Sequence, residues 1–216
     1  MDQALTAHGI RREWWGPHSW KDYALRVWKG LGRVEEIKGD ATERLEFVER
    51  AKRSFIENDI LSKLPLRGKK VLITAGPTYE AIDPVRFIGN HSSGKMGFEL
   101  ASAAANLGAE VILISGPTKE TLSNSFVKII SVTSAEDMYM AAHEHFNSAH
   151  VVICAAAVAD YKPKHVATQK IKKKTDTLTI ELEKTKDILA SLGAIKQQQI
   201  VIGFALETNN EVENAK

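Results

Sequence analysis

The feature that most constrains this sequence is the alternation of short apolar runs with amphipathic segments that begins after Gly68. Apolar runs that end at glycine, proline or serine predict buried strands, and segments with apolar residues three and four positions apart predict helices. Buried strands that alternate with helices form a mostly parallel sheet with helices on both faces. We therefore expect an α/β fold whose ligands bind beyond the carboxyl ends of the strands.

The expected elements follow one another with short connections. Strands are predicted at 71–75, 110–115, 127–132, 151–155, 177–182 and 200–205. Helices are predicted at 95–107, 134–148 and 186–195, and a further helix is predicted to begin at Glu211. Ser134 and Asp137 have the spacing of a capping box at the start of the second helix. This order of elements indicates a Rossmann-like three-layer fold with a mostly parallel sheet.

Residues 1–67 have a different character. All four tryptophans lie there, and apolar residues recur at helical spacing over 41–61. We predict a partly helical N-terminal extension and linker over 1–67, followed by one domain over 68–216.

Composition and single residues exclude several classes of protein. With 44% apolar and 26% charged residues the chain resembles a globular protein, and its longest apolar run, 151–159, is too short to cross a bilayer. The N-terminus shows no secretory signal, and the single cysteine, Cys154, is typical of a reducing cytoplasm. Cys154 lies in an apolar run and is expected to be unreactive. His143 and His145 are two positions apart on a predicted helix, which is the wrong spacing for a zinc site.

Lysines are concentrated in one segment. Six of them fall between Lys162 and Lys174, with no acidic residue among them. This density suggests an anionic small ligand, a phosphate or a nucleic-acid backbone, and the alternative is a solvated surface loop.

A long polar loop separates the first predicted strand from the first predicted helix. It contains T-A-G-P-T at 74–78, D-P-V-R-F-I at 83–88 and N-H-S-S-G-K-M-G at 90–97. Its glycines let the backbone approach an anion, and Ser92 and Ser93 offer caps and hydroxyl donors at the helix N-terminus. A P-loop is excluded because Met96 stands where magnesium needs Ser or Thr. A nicotinamide-dependent reductase is disfavoured because G-x-G-x-x-G is absent, and a purely structural turn would not require so many polar residues.

The stretch 71–97 resembles the signature of bacterial phosphopantothenoylcysteine synthetases. Three later segments are similar to motifs of that family, in the same order: C-A-A-A-V-A-D-Y at 154–161, K-I-K-K at 170–173 and G-F-A-L-E-T-N at 203–209. Family members often form the C-terminal half of a protein whose N-terminal half is a flavin-dependent decarboxylase. FMN is therefore expected only if that other half is present.

The resemblance implies a CTP-dependent ligase of coenzyme A biosynthesis. The carboxylate of 4′-phosphopantothenate attacks the α-phosphate of CTP, and the amine of L-cysteine then displaces CMP from the acyl-cytidylate. CTP is thus a co-substrate and Mg²⁺ accompanies its triphosphate. The family also implies a cytoplasmic homodimer with no nucleic-acid or membrane partner.

The same resemblance implies roles for individual residues. Lys170 is expected to oppose charge at the α-phosphate, and Asn90 to hold the acyl-cytidylate, so these two are the expected catalytic residues. Asp160 is expected to accept a hydrogen bond from the exocyclic amine of cytosine. Phe204 is expected to form an apolar wall of the site or, alternatively, a core aromatic. The remaining nucleotide-binding residues are expected to be Gly76, Ser92, Ser93, Gly94, Ala156, Ala157, Lys186, Asp187, Ile188 and Leu189.

Two departures from the family affect these expectations. At 185–188 the family commonly has N-P-D-I, whereas this chain has T-K-D-I, which adds a cation at a helix start expected to face the triphosphate. Further basic residues and another strand follow the E-T-N segment in the family, whereas this sequence ends at Lys216. The sequence therefore predicts a domain incomplete at its C-terminus, with weak CTP binding and slow turnover. The alternative function is a catalytically incomplete nucleotide-binding module.

Overall fold

The structure, a computed structural model, describes residues 61–173 and 176–206. The helical pattern predicted over 41–61 lies outside these residues, apart from Leu61, which begins a short 3-10 helix (Leu61–Lys63). The E-T-N segment and the helix predicted from Glu211 also lie outside them.

Within residues 61–173 and 176–206, five parallel strands form the central sheet. They are β1 (Lys70–Ala75), β4 (Glu110–Ser115), β5 (Val127–Ser131), β6 (Val151–Cys154) and β9 (Ile200–Gly203). Their spatial order is β5-β4-β1-β6-β9, so the chain leaves β1 toward one edge and later returns to its other side. Such a switch point opens a crevice at the carboxyl ends of the two strands where the order reverses, here β1 and β6.

In the part of the chain that the structure describes, three helices cover the two faces of this sheet. They are α1 (Lys95–Asn106), α2 (Ala135–Phe146) and α3 (Ile188–Ile195). Alternate residues of β1 supply two separate cores, since Val71 and Ile73 pack with Phe98 of α1, whereas Leu72 packs with Phe146 of α2 and Leu192 of α3. The predicted three-layer α/β fold is confirmed. Within the described residues, no helix combines the length and apolar character needed to span a membrane.

Two sets of hydrogen bonds fix the start of α2. Ser134 and Asp137 form the predicted capping box, in which Ser134 Oγ accepts the N–H of Asp137 at 3.1 Å and Asp137 Oδ2 accepts the N–H of Ser134 at 3.0 Å. In addition, Oε1 of the buried Glu80 accepts the N–H of Ala135 at 2.7 Å. The loop after β1 therefore anchors a helix that lies far along the chain.

Two short antiparallel ribbons flank the crevice. One pairs β2 (Tyr79–Ala81) with β3 (Phe87–Gly89), and the other pairs β7 (Tyr161–Pro163) with β8 (Leu182–Lys184). The strand predicted at 177–182 is wrong, because only Leu182 of that range is strand. An alternating pattern stabilises a strand when its apolar side is covered, and here Leu178 and Leu182 are 54% and 42% exposed.

Candidate functional site

The crevice is closed at its base by hydrogen bonds from the segment after β6 to the end of β1 and to the loop that follows it, residues 76–94, which we call the first loop. The hydroxyl of Thr74 accepts the N–H of Ala156 at 3.3 Å, and the hydroxyl of Thr78 accepts the N–H of Ala159 at 2.9 Å. Both threonines are buried. The first loop therefore holds in place the segment in which the cytosine pocket is predicted.

Glycines let the first loop lie against the start of α1. Gly76 (φ 77°) and Gly94 (φ 81°) both have the left-handed backbone conformation that favours glycine. A Cβ on Gly94 would lie 3.3 Å from the Cα of Gly76. The carbonyl of Gly76 in turn accepts the N–H of Ala157 at 2.9 Å. Three of the expected nucleotide-binding residues thus meet at the base of the crevice.

The predicted serines lie in the turn before α1 and not at its N-cap. Ser92 Oγ accepts the N–H of Gly94, and Ser93 Oγ accepts the N–H of Lys95, both at 3.3 Å. The N-cap is Gly94, and no side chain of the described residues caps the helix. The expectation that a serine is the N-cap of this helix is wrong, although Ser93 still accepts the N–H of Lys95, the first residue of the helix.

Asn90 bridges the first loop and the segment after β6. Its side chain is exposed, and its Nδ2 donates to the carbonyl of Val158 at 2.9 Å. The amide therefore lies at the rim of the crevice, with its Oδ1 on the same side chain available as an acceptor.

A cavity of about 640 Å³ opens at the ends of β6 and β9, a volume within the usual range of small-molecule sites. It gathers these expected nucleotide-binding residues: Ala156, Asp160, Lys186, Asp187, Ile188, Leu189 and Phe204. Residues that the sequence reasoning missed also line it: Thr74, Val158, Tyr161, Lys184 and Thr185. Phe204 is 54% exposed. The alternative expectation, that this residue is a core aromatic, is therefore wrong.

The segment before α3 is tied to the wall of this cavity. The N–H of Thr185 donates to the carbonyl of Asp160 at 2.9 Å, and its hydroxyl donates to the carbonyl of Ala159 at 2.7 Å. Asp187 is the N-cap of α3, with Oδ1 accepting the N–H of Ala190 at 2.8 Å. The N-terminus of α3 is thereby held at the edge of the cavity, where the partial positive charge of the helix favours an anion.

Lys186, the cation that departs from the family pattern, has partners of its own. Its Nζ lies 2.7 Å from Glu136 Oε1 of α2 and 4.7 Å from the ring centre of Tyr139. The hydrogen bond to Glu136 raises the pKa of Lys186 above its usual value. The ammonium therefore lines the cavity while it is paired with a carboxylate.

Cys154 also faces the cavity, but its thiol is not activated. Burial, with a smaller contribution from the negative charge of Asp187, raises the pKa of Cys154 to about 11. Because the thiolate is the nucleophilic form, the thiol is unreactive at neutral pH, in agreement with the expectation from sequence.

Lys170 lies apart from these residues. It lines a second cavity, of about 820 Å³, and not the one that contains Asp160. The lysine segment, which we define as residues 170–173, borders this second cavity together with Arg86. The structure therefore does not bring Lys170 together with the residues of the first cavity.

Arg86 and Asp83 connect the lysine segment to the first loop. Asp83 Oδ2 accepts the N–H of Ile171 at 3.0 Å, and Arg86 Nη2 donates to the carbonyl of Ile171 at 3.0 Å. Sequence reasoning assigned neither residue a role. The Asp-Pro step at 83–84 was a signal for a local side-chain turn, but not for a contact across 88 residues.

His143 packs against neighbouring side chains of α2 and α3. His143 Nε2 lies 3.0 Å from Ser191 Oγ, and the rings of His143 and Tyr139 have centroids 4.2 Å apart. Among the described residues, no group of three or more histidine, cysteine, aspartate or glutamate side chains is placed to hold a metal ion.

This chain is similar to two bacterial proteins named for coenzyme A biosynthesis. The chain is 48% identical over 181 residues to the coenzyme A biosynthesis bifunctional protein CoaBC of Bacillus subtilis (strain 168), covering 84% of this chain and 42% of the relative. It is 52% identical over 206 residues to the protein of the same name from Vibrio cholerae, covering 93% of this chain and 48% of the relative. The chain thus spans about half the length of the curated relatives it matches.

Solved structures agree with the fold. The crystal structure of the C-terminal domain of a coenzyme A biosynthesis bifunctional protein CoaBC matches with a TM-score of 0.62 and 52% identity, over 71% of this chain and 72% of that chain. The DNA/pantothenate metabolism flavoprotein from Streptococcus pneumoniae matches with a TM-score of 0.61 and 25% identity, over 68% of this chain and 76% of that chain.

A family model described as the DNA/pantothenate metabolism flavoprotein C-terminal domain matches residues 66–216, which is more than half of the chain. The first loop, the segment after β6 and the lysine segment all fall within this match. The chain therefore belongs to the DNA/pantothenate metabolism flavoprotein C-terminal domain family, which confirms its resemblance to the synthetase half of the bifunctional coenzyme A proteins.

Proposed function

We propose that the domain over 68–216 joins 4′-phosphopantothenate to L-cysteine in coenzyme A biosynthesis, with CTP as the activating nucleotide. The names of the relatives support a role in that pathway. The observation that carries the proposal is the cavity beside the switch point, which gathers the small side chain of Ala156, the carboxylate of Asp160 and the N-terminus of α3. The small side chain leaves room for a base, the carboxylate can accept a hydrogen bond from the exocyclic amine of that base, and the helix N-terminus favours a chain of phosphates.

Asp160 and Ala156 form the proposed base site. Cytosine carries an exocyclic amine donor where uracil has a carbonyl acceptor, so a carboxylate at this position favours CTP over UTP. Ala156, whose backbone N–H donates to Thr74 Oγ1, has only a methyl side chain, which lets the base approach the end of β6. Phe204 is exposed at the cavity and offers an apolar wall for the ring.

The N-terminus of α3 is the proposed triphosphate site. The N–H groups at the start of this helix and the ammonium of Lys186 supply positive charge beside the cavity. Asp187 contributes a negative charge at the same place, and Mg²⁺ that arrives with the triphosphate offsets the repulsion between them. In this proposal the metal is part of the nucleotide substrate.

The reaction takes two steps. A carboxylate oxygen of phosphopantothenate attacks the α-phosphorus of CTP, and the bond to the β-phosphate oxygen breaks to release pyrophosphate. The amine of cysteine then attacks the acyl carbon, loses a proton and expels CMP. Asn90 lies at the rim of the crevice, where a neutral amide can bind the acyl-cytidylate without the strong attraction of a cation. Lys170 is proposed to oppose the charge that develops in the first step.

One observation favours a second candidate, a module that binds nucleotide without turnover. Lys170 lines a different cavity from Asp160, so the proposed catalytic cation is separated from the proposed base site. Both candidates predict binding of CTP, whereas only the ligase predicts pyrophosphate release that depends on phosphopantothenate.

Binding and turnover measured on the same preparation test the proposal. CTP, UTP, ATP and NADPH are titrated first, and pyrophosphate release is then followed with and without phosphopantothenate and cysteine. The proposal expects tighter binding of CTP than of the other three and release that requires phosphopantothenate. Comparable turnover with ATP at equal concentration would refute the assignment of CTP. The homodimer and the cytoplasmic location stay predictions of the family resemblance.

A further inference from the structure

Asp83 is a buried carboxylate that the proposed reaction does not use. It lies in the turn between β2 and β3 and is 2% exposed. A buried charge is costly unless it is paired and hydrogen-bonded, so such a residue needs a reason to be present.

The two oxygens of Asp83 have different partners. Oδ1 accepts the N–H groups of Val85 and Arg86, both at 2.9 Å, which closes the local turn. Oδ2 accepts Arg86 Nε at 3.0 Å, is also bonded to Arg86 Nη2, and accepts the N–H of Ile171 at 3.0 Å. The local turn requires only Oδ1. The second oxygen therefore binds the Arg86 side chain and the distant Ile171 peptide together.

Ile171 is held at both of its backbone polar groups. Its N–H donates to Asp83, and its carbonyl accepts from Arg86 Nη2 at 3.0 Å. A further bond ties the same stretch to the same loop, since the N–H of Ala167 donates to the carbonyl of Ile82 at 3.0 Å. Because Ile171 follows Lys170 directly, fixing its peptide restricts where that lysine can place its ammonium.

We propose that Asp83 is the positioning residue for the lysine segment, acting through the N–H of Ile171 and together with Arg86. The functional part rests on the proposed role of Lys170 in the first step of the reaction. Hydrogen bonds from Arg86, Ile171 and the turn hold the pKa of Asp83 well below its usual range, so the carboxylate stays charged at neutral pH.

Asp83→Asn separates the two functions of the carboxylate. The amide oxygen of asparagine can still accept the N–H groups of Val85 and Arg86, because asparagine closes the same kind of turn. Its NH₂ group cannot accept from Ile171 and faces the Arg86 guanidinium as another donor. We expect hydrogen exchange of the Ile171 amide to become at least tenfold faster, while the Val85 and Arg86 amides change little. The kcat for pyrophosphate release should fall at least tenfold with little change in the KM for CTP.

Glu181→Gln is the matched control. Glu181 is an exposed carboxylate that pairs with Lys164, outside the lysine segment, at 2.7 Å. In the part of the chain that the structure describes, the partners of the Ile171 peptide are Asp83 and Arg86. This variant should leave both the Ile171 exchange rate and kcat unchanged. General loosening of the domain by Asp83→Asn would instead accelerate exchange of the turn amides as much as that of Ile171, and such a result would overturn the proposal.

Lys170→Gln separates this proposal from the proposed function. We expect it to lower kcat without changing Ile171 exchange, and the Asp83→Asn, Lys170→Gln double variant to be no slower than the slower single variant. Losses that multiply in the double variant, or unchanged Ile171 exchange in Asp83→Asn, would overturn the positioning role. If Lys170→Gln alone keeps full activity, the role assigned to Lys170 is wrong, and the Ile171 exchange rate alone decides whether Asp83 holds the segment.

A second variant covers the case in which Asp83→Asn does not fold. Ile171→Pro removes the same hydrogen bond from the other side and leaves the buried Asp83–Arg86 pair intact. We expect a comparable loss of kcat, and full kcat in this variant would contradict the proposal.

Discussion

Lys186 and Glu136 join the start of α3 to the first turn of α2 through an ion pair of 2.7 Å between Nζ and Oε1. Both side chains are about half exposed, so the pair contributes little to folding. The position of this ion pair matters for binding, because Lys186 lines the proposed nucleotide cavity whereas Glu136 does not. The carboxylate thus competes with any phosphate for the same ammonium.

Glu136→Gln should therefore strengthen CTP binding. The change releases the Lys186 ammonium from its carboxylate, and we expect the Kd for CTP to fall by about 1.5- to 5-fold, the size typical of one exposed charge pair. Isothermal titration at low and high salt measures the effect, which should shrink as salt is added. In a Lys186→Met background the same substitution should have no effect. A gain that persists there would show that Glu136 repels the nucleotide directly.

Two helical glycines should respond in opposite directions to alanine. In α1 a Cβ on Gly97 would lie 2.4 Å from the Cβ of Ala75, so Gly97→Ala must move the helix away from β1 and should lower the free energy of unfolding by about 1–3 kcal/mol. In α3 nothing lies within 4 Å of a Cβ on Gly193, and Gly193→Ala should raise the free energy of unfolding by about 0.5–1 kcal/mol. Urea denaturation of the two variants and the parent chain measures both changes. Equal stability of Gly97→Ala and the parent chain would mean that the close contact of α1 with β1 is not required.

The stabilisation provided by Asp83 should depend on pH in acid. Arg86 and the neighbouring amides hold the pKa of this carboxyl below its usual value, so its contribution to stability is present in full above the ordinary aspartate pKa of about 3.9 and is lost as the pH falls toward the lowered value. We expect the difference in unfolding free energy between the parent chain and Asp83→Asn to be constant from about pH 5 to 7 and to narrow below about pH 4.

Asp137, whose pKa is lowered by its bonds to Ser134, adds acid sensitivity to both proteins and cancels in this comparison. A difference that widens toward low pH would contradict the assignment of the pKa shift to Asp83.

Asn90→Asp should slow the second step of the reaction and spare the first. A carboxylate repels the acyl-phosphate oxyanion, and it also loses the N–H that donates to the carbonyl of Val158 at 2.9 Å. Removing one donor of this kind typically costs about 10²–10³ in rate. Single-turnover kinetics should show normal pyrophosphate release followed by slow transfer to cysteine. Asn147→Asp, at the exposed end of α2, is the control and should leave both steps unchanged.

The central sheet could be predicted because each of its strands has a recognisable local sequence pattern. Runs such as 71–75 and 110–115 are β-branched, apolar and closed by glycine, so the buried parallel strands and the helices between them follow from local pattern alone. The capping box at Ser134 is local in the same way. The ribbon strands were missed because strands of three residues are too short to show an alternation.

The site could be predicted only in part, for a physical reason that Asp83 and Lys170 illustrate. The motif at 154–161 follows β6 at the carboxyl edge of the sheet, where ligands are expected. The start of α3 follows β8 of a flanking ribbon and meets this motif through the hydrogen bonds of Thr185 to Ala159 and Asp160. The contact of Asp83 with Ile171 spans 88 residues and depends on one carboxylate oxygen, which no spacing rule detects. The placement of Lys170 in a second cavity depends likewise on how that segment is anchored.

Direct detection of the activated intermediate tests the central claim, that this domain activates a carboxylate with CTP. The protein is mixed with phosphopantothenate and CTP labelled at the α-phosphate, without cysteine, and quenched within milliseconds to seconds. The account predicts a labelled species that contains both CMP and phosphopantothenate, forms together with pyrophosphate, and disappears when cysteine is added. Release of pyrophosphate with no such species, or an equal yield of the corresponding adenylate from labelled ATP, would contradict the account.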